Sequence, residues 1–332
     1  VRAAILAGSA TVQVKDLPDP KPAEGEALVR VAVSAICGSE LHAYRSPEGA
    51  PGSPAGHEMV GEVVAVNRTQ RVRVGDRVAV QVMAGCGRCG HCAQGDYEHC
   101  RDLRSAMGGH ADLVPVPEMC CLPLPDDVSW ETGVLLGGDT IGTTYRALRR
   151  LNVSAFDTVG VFGCGPIGLG MLAVLRFLGV RAIAADLSAY RRDLASKLGA
   201  WRALDPGSVD IGDAVRALTD GSGVDVALDC SPSPATLTAA LDAVRVFGRV
   251  GLVGEKGSST IHPSDHFIRK EITALGSWYF TPHDYFQILE LHRRGLQVDD
   301  VVTHRFPFEE ADRAFATFAS GQSGKVLLIH GT

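Results

Sequence analysis

The stretch DTVGVFGCGPIGLGMLAVLRFLG (residues 157–179), followed by VRAIAAD (180–186), decides the reading of this chain. DTVGVFG is a β-branched run suited to a buried strand, and PIGLGMLAVLRFLG is an apolar helix that stops at Gly179. Between them, Gly163-Cys164-Gly165-Pro166-Ile167-Gly168 turns strand into helix. In that context the glycines allow a tight turn, close backbone approach to a pyrophosphate, and close packing of helix on sheet. The helix start then presents free N–H groups and a positive dipole end to phosphate. Asp186 stands at the end of the second strand, where a carboxylate can accept hydrogen bonds from a ribose. Gly163, Gly165, Pro166, Ile167, Gly168 and Asp186 are therefore candidate dinucleotide-binding residues, against the plainer alternative of an ordinary strand–helix turn with a surface aspartate. Asp186 would repel a 2′-phosphate, which favours NAD over NADP. Arg191 and Arg192 follow closely and could soften that preference; Arg191 is kept as a candidate cofactor contact, although both arginines also suit a solvated helix.

Outward from this stretch the rhythm persists. SAYRRDLASKLG (188–199) reads as an amphipathic helix, and VDVALDC (224–230), GRVGLVG (248–254) and EITALGSW (271–278) as further strands with helical stretches between them. Strands alternating with helices predict a doubly wound parallel sheet, an α/β Rossmann domain over 144–278. Upstream the pattern is different: VRAAILAG (1–8), TVQVKDLP (11–18), EALVRVAVSAI (26–36), EMVGEVVAV (58–66) and DRVAVQV (76–82) are short strands broken by turn residues. They predict a partly open β-barrel. Two helices and the strand KVLLIHG (325–331) close the chain, giving a second domain of 1–143 and 279–332. Trp278, Tyr279 and Phe280 could line a pocket or a subunit contact, with packing as the simpler role.

Composition bounds the function. Over 332 residues, 45% are hydrophobic and 21% charged, which is globular. A net charge of −6 gives no pull toward nucleic acid or an anionic membrane, and no apolar run is long enough for a span. The first residues turn polar too early for a secretory signal, so a cytoplasmic location is expected. The nine cysteines are an odd number, and four of them crowd into 86–100, which suggests metal rather than disulfides. Cys86, Cys89, Cys92 and Cys100 can close a tetrahedron of thiolates around zinc with no open position, a structural site. His91 and His99 lie among them as bystanders. A second set is spread out: Cys37 in CGSELH (37–42), and His57 and Glu58 in Gly56-His57-Glu58. These are suitable donors for catalytic zinc, although each residue taken singly is equally a buried thiol, a satisfied histidine or a solvated acid.

CGSELH at 37–42, GHEMVGEVV at 56–64, the four-cysteine lobe, GCGPIG at 163–168 with Asp186, and GKVLLI at 324–329 occur together in one order. In this the chain resembles, nearly end to end, the zinc-dependent medium-chain dehydrogenase/reductase family of alcohol, polyol, sugar and threonine dehydrogenases. The resemblance implies a GroES-like barrel for the first domain and two zinc ions per chain. It implies that Cys37 and His57 hold catalytic zinc, with Glu58 bound directly or through water and Asp139 in the remaining position. It further implies that Ser39 takes the alcohol proton, His42 passes it outward, Glu40 orients His57, and a hydride moves to NAD. The expected substrate is a secondary alcohol (a polyol, sugar, cyclitol or amino alcohol), with simple alcohols and aldehydes as the alternative. A noncatalytic zinc protein is the alternative from another class. A homodimer or homotetramer is expected. Two departures stand out: Asp139 replaces the family's cysteine or glutamate, and Asn67 occupies a position usually Gly or Ala, where it would supply a left-handed turn. Cys120, Cys121, Cys164 and Cys230 read as core or turn thiols.

Overall fold

A computed structural model describes residues 1–255 and 257–331 as two compact units. The second comprises Thr143–Phe280 with Glu290–Val301. Its six strands are all parallel, in the order Arg202–Leu204, Arg181–Ala185, Thr158–Phe162, Val224–Asp229, Val244–Leu252, Thr273–Gly276. This is the doubly wound order in which the direction of winding reverses beside the first strand. Thr158–Phe162 is buried on both faces, as a central parallel strand must be when helices cover both sides. The helix Pro166–Phe177 starts with proline in its first turn, where the missing N–H costs nothing. Ser188 and Asp210 cap the helices Ala189–Lys197 and Ile211–Leu218 by accepting N–H bonds from Arg191 and Asp213. The loop Gly163–Gly168 therefore opens at the C-terminal end of the central strand, at the switch point.

The sequence reading placed 290–301 with the barrel. That segment instead groups with the parallel sheet: Asp299–Val301 packs on the helix Pro166–Phe177, and Arg176 lies 3.6 Å from Asp300. The aromatic run divides. Tyr279 and Phe280 are buried and stacked, whereas Trp278 is half exposed.

The first unit comprises Val1–Gly142, Thr281–Leu289 and Val302–Thr332. Its main sheet runs Val302–Pro307, Lys325–Ile329, Glu26–Ala35, Glu58–Asn67, Arg77–Val80, Cys121–Pro123. Glu26–Ala35 changes partners along its length: its first half pairs with Leu113–Pro117 and its last three residues with Leu327–Ile329. Irregularities at Leu28/Val29 and Val31/Val33 bend it between the two. The result is a curled sheet with two cores. One is built on Val29, Met59, Val80 and Val114; the other is built on Ile36, Phe308, Phe315 and Leu328. Arg2–Gly8 and Thr11–Asp16 form a hairpin whose turn residues, Ser9 and Ala10, are both left-handed, as a tight two-residue turn requires. Asn67 is not left-handed; Arg68 is, with φ +53°, and the Asn67 side chain instead donates to Pro22 O at 3.0 Å. The expected turn exists one residue later, and Asn67 ties down the neighbouring loop.

Candidate zinc centres and nucleotide loop

Cys86 follows the short strand Met83–Ala84, Cys89 precedes the helix Gly90–Gln94 that carries Cys92, and Cys100 ends the turn Tyr97–His99. This folding brings the four sulfurs within 4.8 Å of one another. Separations are 3.4 Å (Cys89–Cys92), 3.8 Å (Cys89–Cys100) and 3.9 Å (Cys86–Cys92). A regular tetrahedron with Zn–S bonds of about 2.3 Å has edges of about 3.8 Å, so the set fits zinc as it stands. Gly85 makes room for it, since a Cβ there would lie 2.3 Å from the Cys92 sulfur. Backbone hydrogen bonding at Arg88 pulls the Cys86 thiol down to about 6, and Cys89 is lowered by the Cys92 backbone. Burial pushes Cys92 up to about 11. His91 and His99 face each other, with ring centroids 5.9 Å apart.

The second cluster unites distant segments. Cys37 leads into the turn Gly38–Glu40 just beyond the strand that ends at Ala35, and Ala35 pairs with Glu58 on the neighbouring strand. Asp139 begins the helix Asp139–Arg150. Cys37, His57, Glu58 and Asp139 offer donor atoms within 4.8 Å of one another. Asp139 Oδ2 lies 3.2 Å from His57 Nε2 and 3.7 Å from Cys37 Sγ. Burial opposes charge on His57, but Asp139 and Cys37 outweigh it, and its pKa stands well above the ordinary imidazole value.

Lys325, which the sequence reading did not single out, completes the set. Its Nζ donates to Glu58 Oε1, and both side chains are 1% exposed. Burial works against its charge, yet Glu58, Cys37 and Asp139 raise its pKa. The other carboxylate oxygen, Glu58 Oε2, is buried with no hydrogen-bond partner among the described residues. Gly138 leaves room for it, because a Cβ there would lie 2.6 Å away. As zinc ligands Cys37 would be a thiolate and His57 a neutral imidazole, so with Asp139 and Glu58 ionised and Lys325 protonated the donor set would carry a formal charge of −2. A divalent cation would neutralise it and satisfy the orphaned oxygen, so these residues fit zinc.

The remaining expected residues are placed less uniformly. Glu40 is buried, but its bonds do not go to His57: Oε2 accepts the Cys37 backbone N–H at 2.8 Å, and Oε1 faces His110 Nε2 at 3.3 Å. Burial would raise its pKa, but His110, His57 and the Cys37 amide bring it down to about 2. Its hydrogen bond supports the Cys37 loop. Ser39 and His42 lie exposed on the adjoining turn and on the helix Leu41–Arg45. No side-chain hydrogen bond joins them among the described residues.

In the nucleotide loop, Gly163 has φ +95°, and a Cβ on Gly168 would lie 1.9 Å from Gly163 O. Both positions therefore require glycine. Gly165 precedes Pro166 and Ile167 at the helix start, with open space where a side chain would project. Asp186 uses both carboxylate oxygens on the backbone, accepting from Cys164 N and Ser188 N at 2.8 Å each. It locks the turn, and its oxygens keep lone pairs for a ribose. The Arg191 N–H donates to Ser188 Oγ. It is Arg192 whose guanidinium is pinned, on Asp186 O and Leu187 O at 2.9 Å and on Asp205 at 3.0 Å.

Two family profiles match the chain: an alcohol dehydrogenase GroES-like domain over residues 23–126, and a zinc-binding dehydrogenase over 166–294. An uncharacterised zinc-type alcohol dehydrogenase-like protein of Escherichia coli K12 is 33% identical across 98% of both chains. L-threonine 3-dehydrogenase of Shewanella putrefaciens is 29% identical across 94% of both. Among solved structures, the alcohol dehydrogenase of Thermus sp. ATN1 superimposes with a TM-score of 0.92 at 30% identity, covering all of both chains.

Proposed function

This chain belongs to the zinc-dependent medium-chain dehydrogenase family, and from that premise we propose that it oxidises secondary alcohols bearing a neighbouring hydroxyl or amine, with NAD⁺ as acceptor. It is an oxidoreductase, a zinc-dependent dehydrogenase of alcohols linked to a nicotinamide dinucleotide. When bound, zinc supplies Lewis acidity toward an alcohol oxygen and the nicotinamide supplies the hydride acceptor.

The observation that carries the substrate reading is Asp139 beside Cys37 and His57, where a hard carboxylate donor replaces a thiolate. Oxygen donors suit an expanded coordination shell that admits two substrate heteroatoms. The likeness to L-threonine 3-dehydrogenase, named for an amino alcohol, supports the same reading. Cys37, His57 and Asp139 would hold the catalytic zinc, with Glu58 on its reserve oxygen; Cys86, Cys89, Cys92 and Cys100 would hold the structural one. Ser39 would take the alcohol proton, and the exposed His42 would pass it to solvent. Gly163, Gly165, Pro166, Ile167, Gly168 and Asp186 would receive the dinucleotide, with Arg191 close by, and Asp186 would disfavour a 2′-phosphate. Segments 1–142, 281–289 and 302–332 would form the catalytic domain, and 143–280 with 290–301 the dinucleotide-binding domain.

A homodimer or homotetramer is the proposed assembly, supported by the exposed edge strand Thr273–Gly276 beside Trp278. A cytoplasmic location is supported by nine cysteines, all free. Elemental analysis together with a screen of NAD⁺ and NADP⁺ reduction against alcohols, diols, polyols and amino alcohols tests the reading. Two zinc ions and best turnover of a vicinal diol or amino alcohol with NAD⁺ are expected; best turnover of a simple primary alcohol would overturn the substrate class.

A further inference from the structure

Behind the Cys37 loop a line of polar groups crosses the apolar interior of the first unit, and nothing in the proposed reaction uses it. Glu40 Oε1 faces His110 Nε2 at 3.3 Å, His110 Nδ1 lies 2.8 Å from Ser34 Oγ, and Ser34 Oγ lies 3.0 Å from His330 Nε2. His330 Nδ1 lies 3.6 Å from Asp112 Oδ1. Arg2 closes the far end, its Nε and backbone N–H donating to Asp112 Oδ2 and its Nη2 to Oδ1. Ser34, His110 and His330 are buried. The Phe315 ring stands edge-on to His110 and Phe308 stacks on His330, so both imidazoles are sheathed in aromatic carbon.

Three of these contacts lie within hydrogen-bonding distance, and two neutral imidazoles and one hydroxyl bring the three protons they need. At 3.6 Å, His330 Nδ1 and Asp112 Oδ1 are too far apart for a fourth. With His110 Nε2–H turned toward Glu40, Ser34 Oγ–H donates to His110 Nδ1 and His330 Nε2–H donates to Ser34 Oγ.

We infer that His110 is a positioning residue: braced through Ser34 and His330, it holds Glu40 against the Cys37 amide and thereby fixes the loop that presents the Cys37 sulfur. The inference rests on the reading of Cys37 as a zinc ligand. It gives a role to three buried polar residues, Ser34, His110 and His330, that the reaction leaves unused.

The test compares His110→Phe and His110→Gln with the wild-type holoenzyme. Phenylalanine keeps the packing against Phe315 but removes every hydrogen bond, while glutamine can still donate to Glu40. Release of zinc to a chelating dye should show two phases. In His110→Phe one phase should quicken about tenfold or more and the other should not move, with partial recovery in His110→Gln. The thiolate-to-metal absorption band of the enzyme with cobalt(II) at the catalytic site should shift in the same order. Release rates and a cobalt spectrum in His110→Phe indistinguishable from wild type would overturn the inference. Should that variant fail to fold, ¹⁵N imidazole spectra of the wild type decide: a proton on His110 Nε2 supports it, and an Nε2 without a proton overturns it. A wild type holding fewer than two zinc ions would overturn the zinc reading itself, and is seen before any variant is made.

Discussion

Replacing Lys325 with methionine tests the electrostatics of the Cys37, His57, Glu58 and Asp139 cluster directly. Lys325 and Glu58 are each 1% exposed and hydrogen-bonded to one another, on the strands Lys325–Ile329 and Glu58–Asn67. Methionine matches the lysine stem in volume, so the change removes the charge and little packing. It leaves Glu58 without its lysine partner on Oε1, taking the formal charge of the donor set from −2 to −3. Removing one partner of a buried pair costs about 3–5 kcal/mol, because the other charge is stranded. At roughly 2–4 °C per kcal/mol for a unit of this size, the zinc-loaded protein should melt about 6–20 °C lower. The double variant Glu58→Gln, Lys325→Met should recover most of this, since an apolar or neutral replacement of the whole pair is often nearly free. Scanning calorimetry of the two variants against wild type, all zinc-saturated, is the assay. A single variant within about 1 kcal/mol of wild type, or a double variant no better than the single, would refute the reasoning.

Four further outcomes are expected. Asp186→Ala should raise the KM for NAD⁺ about tenfold or more and narrow the gap to NADP⁺, because the Cys164 and Ser188 amides lose a charged acceptor; steady-state kinetics with both cofactors checks this. Cys89→Ser should cost solubility and thermal stability, whereas Cys37→Ser should leave a folded protein with one zinc and little turnover; identical behaviour in melting and kinetics would erase the structural/catalytic division. Asp139→Asn, which can still serve a helix start, should weaken catalytic zinc at least about tenfold by equilibrium dialysis, and full zinc with unchanged kcat/KM would leave Asp139 only a helix-start role. At neutral pH, iodoacetamide should label Cys86 and Cys89 only after chelation, whereas Cys121, pushed up to about 12 by burial, and Cys164, raised further, should stay unlabelled until denaturation.

What could be read from the chain beforehand follows from how locally each feature is encoded. The nucleotide loop lies within one strand–turn–helix unit, so periodicity and three glycines sufficed to place it. The four thiolates of the cysteine lobe fall inside a single short segment, and their spacing nearly implies their geometry. The other centre draws Cys37, His57 and Asp139 from three separate segments, and spacing alone made it weak; the family resemblance, not the pattern, assembled it. Domain edges failed where an amphipathic segment had two possible hosts, and 290–301 went to the helix it could pack on.

The residues missed outright share one property: each is a polar group inside an apolar strand or beside one. GKVLLIH carries Lys325 and His330 around four apolar residues, and VAVSAI carries Ser34. A strand of that composition is read as buried, and a buried polar group must find a partner, so the existence of partners was legible from these segments. Their identity was not. Glu58 lies 267 residues from Lys325, and His110 and His330 reach Ser34 from opposite sides across separations of 76 and 296 residues. Strand pairing sets those meetings: Ser34 pairs with Leu328 and Ala35 with Leu327 and Glu58, which brings the closing strand and the zinc-site strand to opposite edges of one central strand. A lone lysine or histidine in an apolar strand thus announces a charge or proton that the fold must balance, and in this chain the balance is struck at the Cys37, His57, Glu58 and Asp139 cluster and directly behind it.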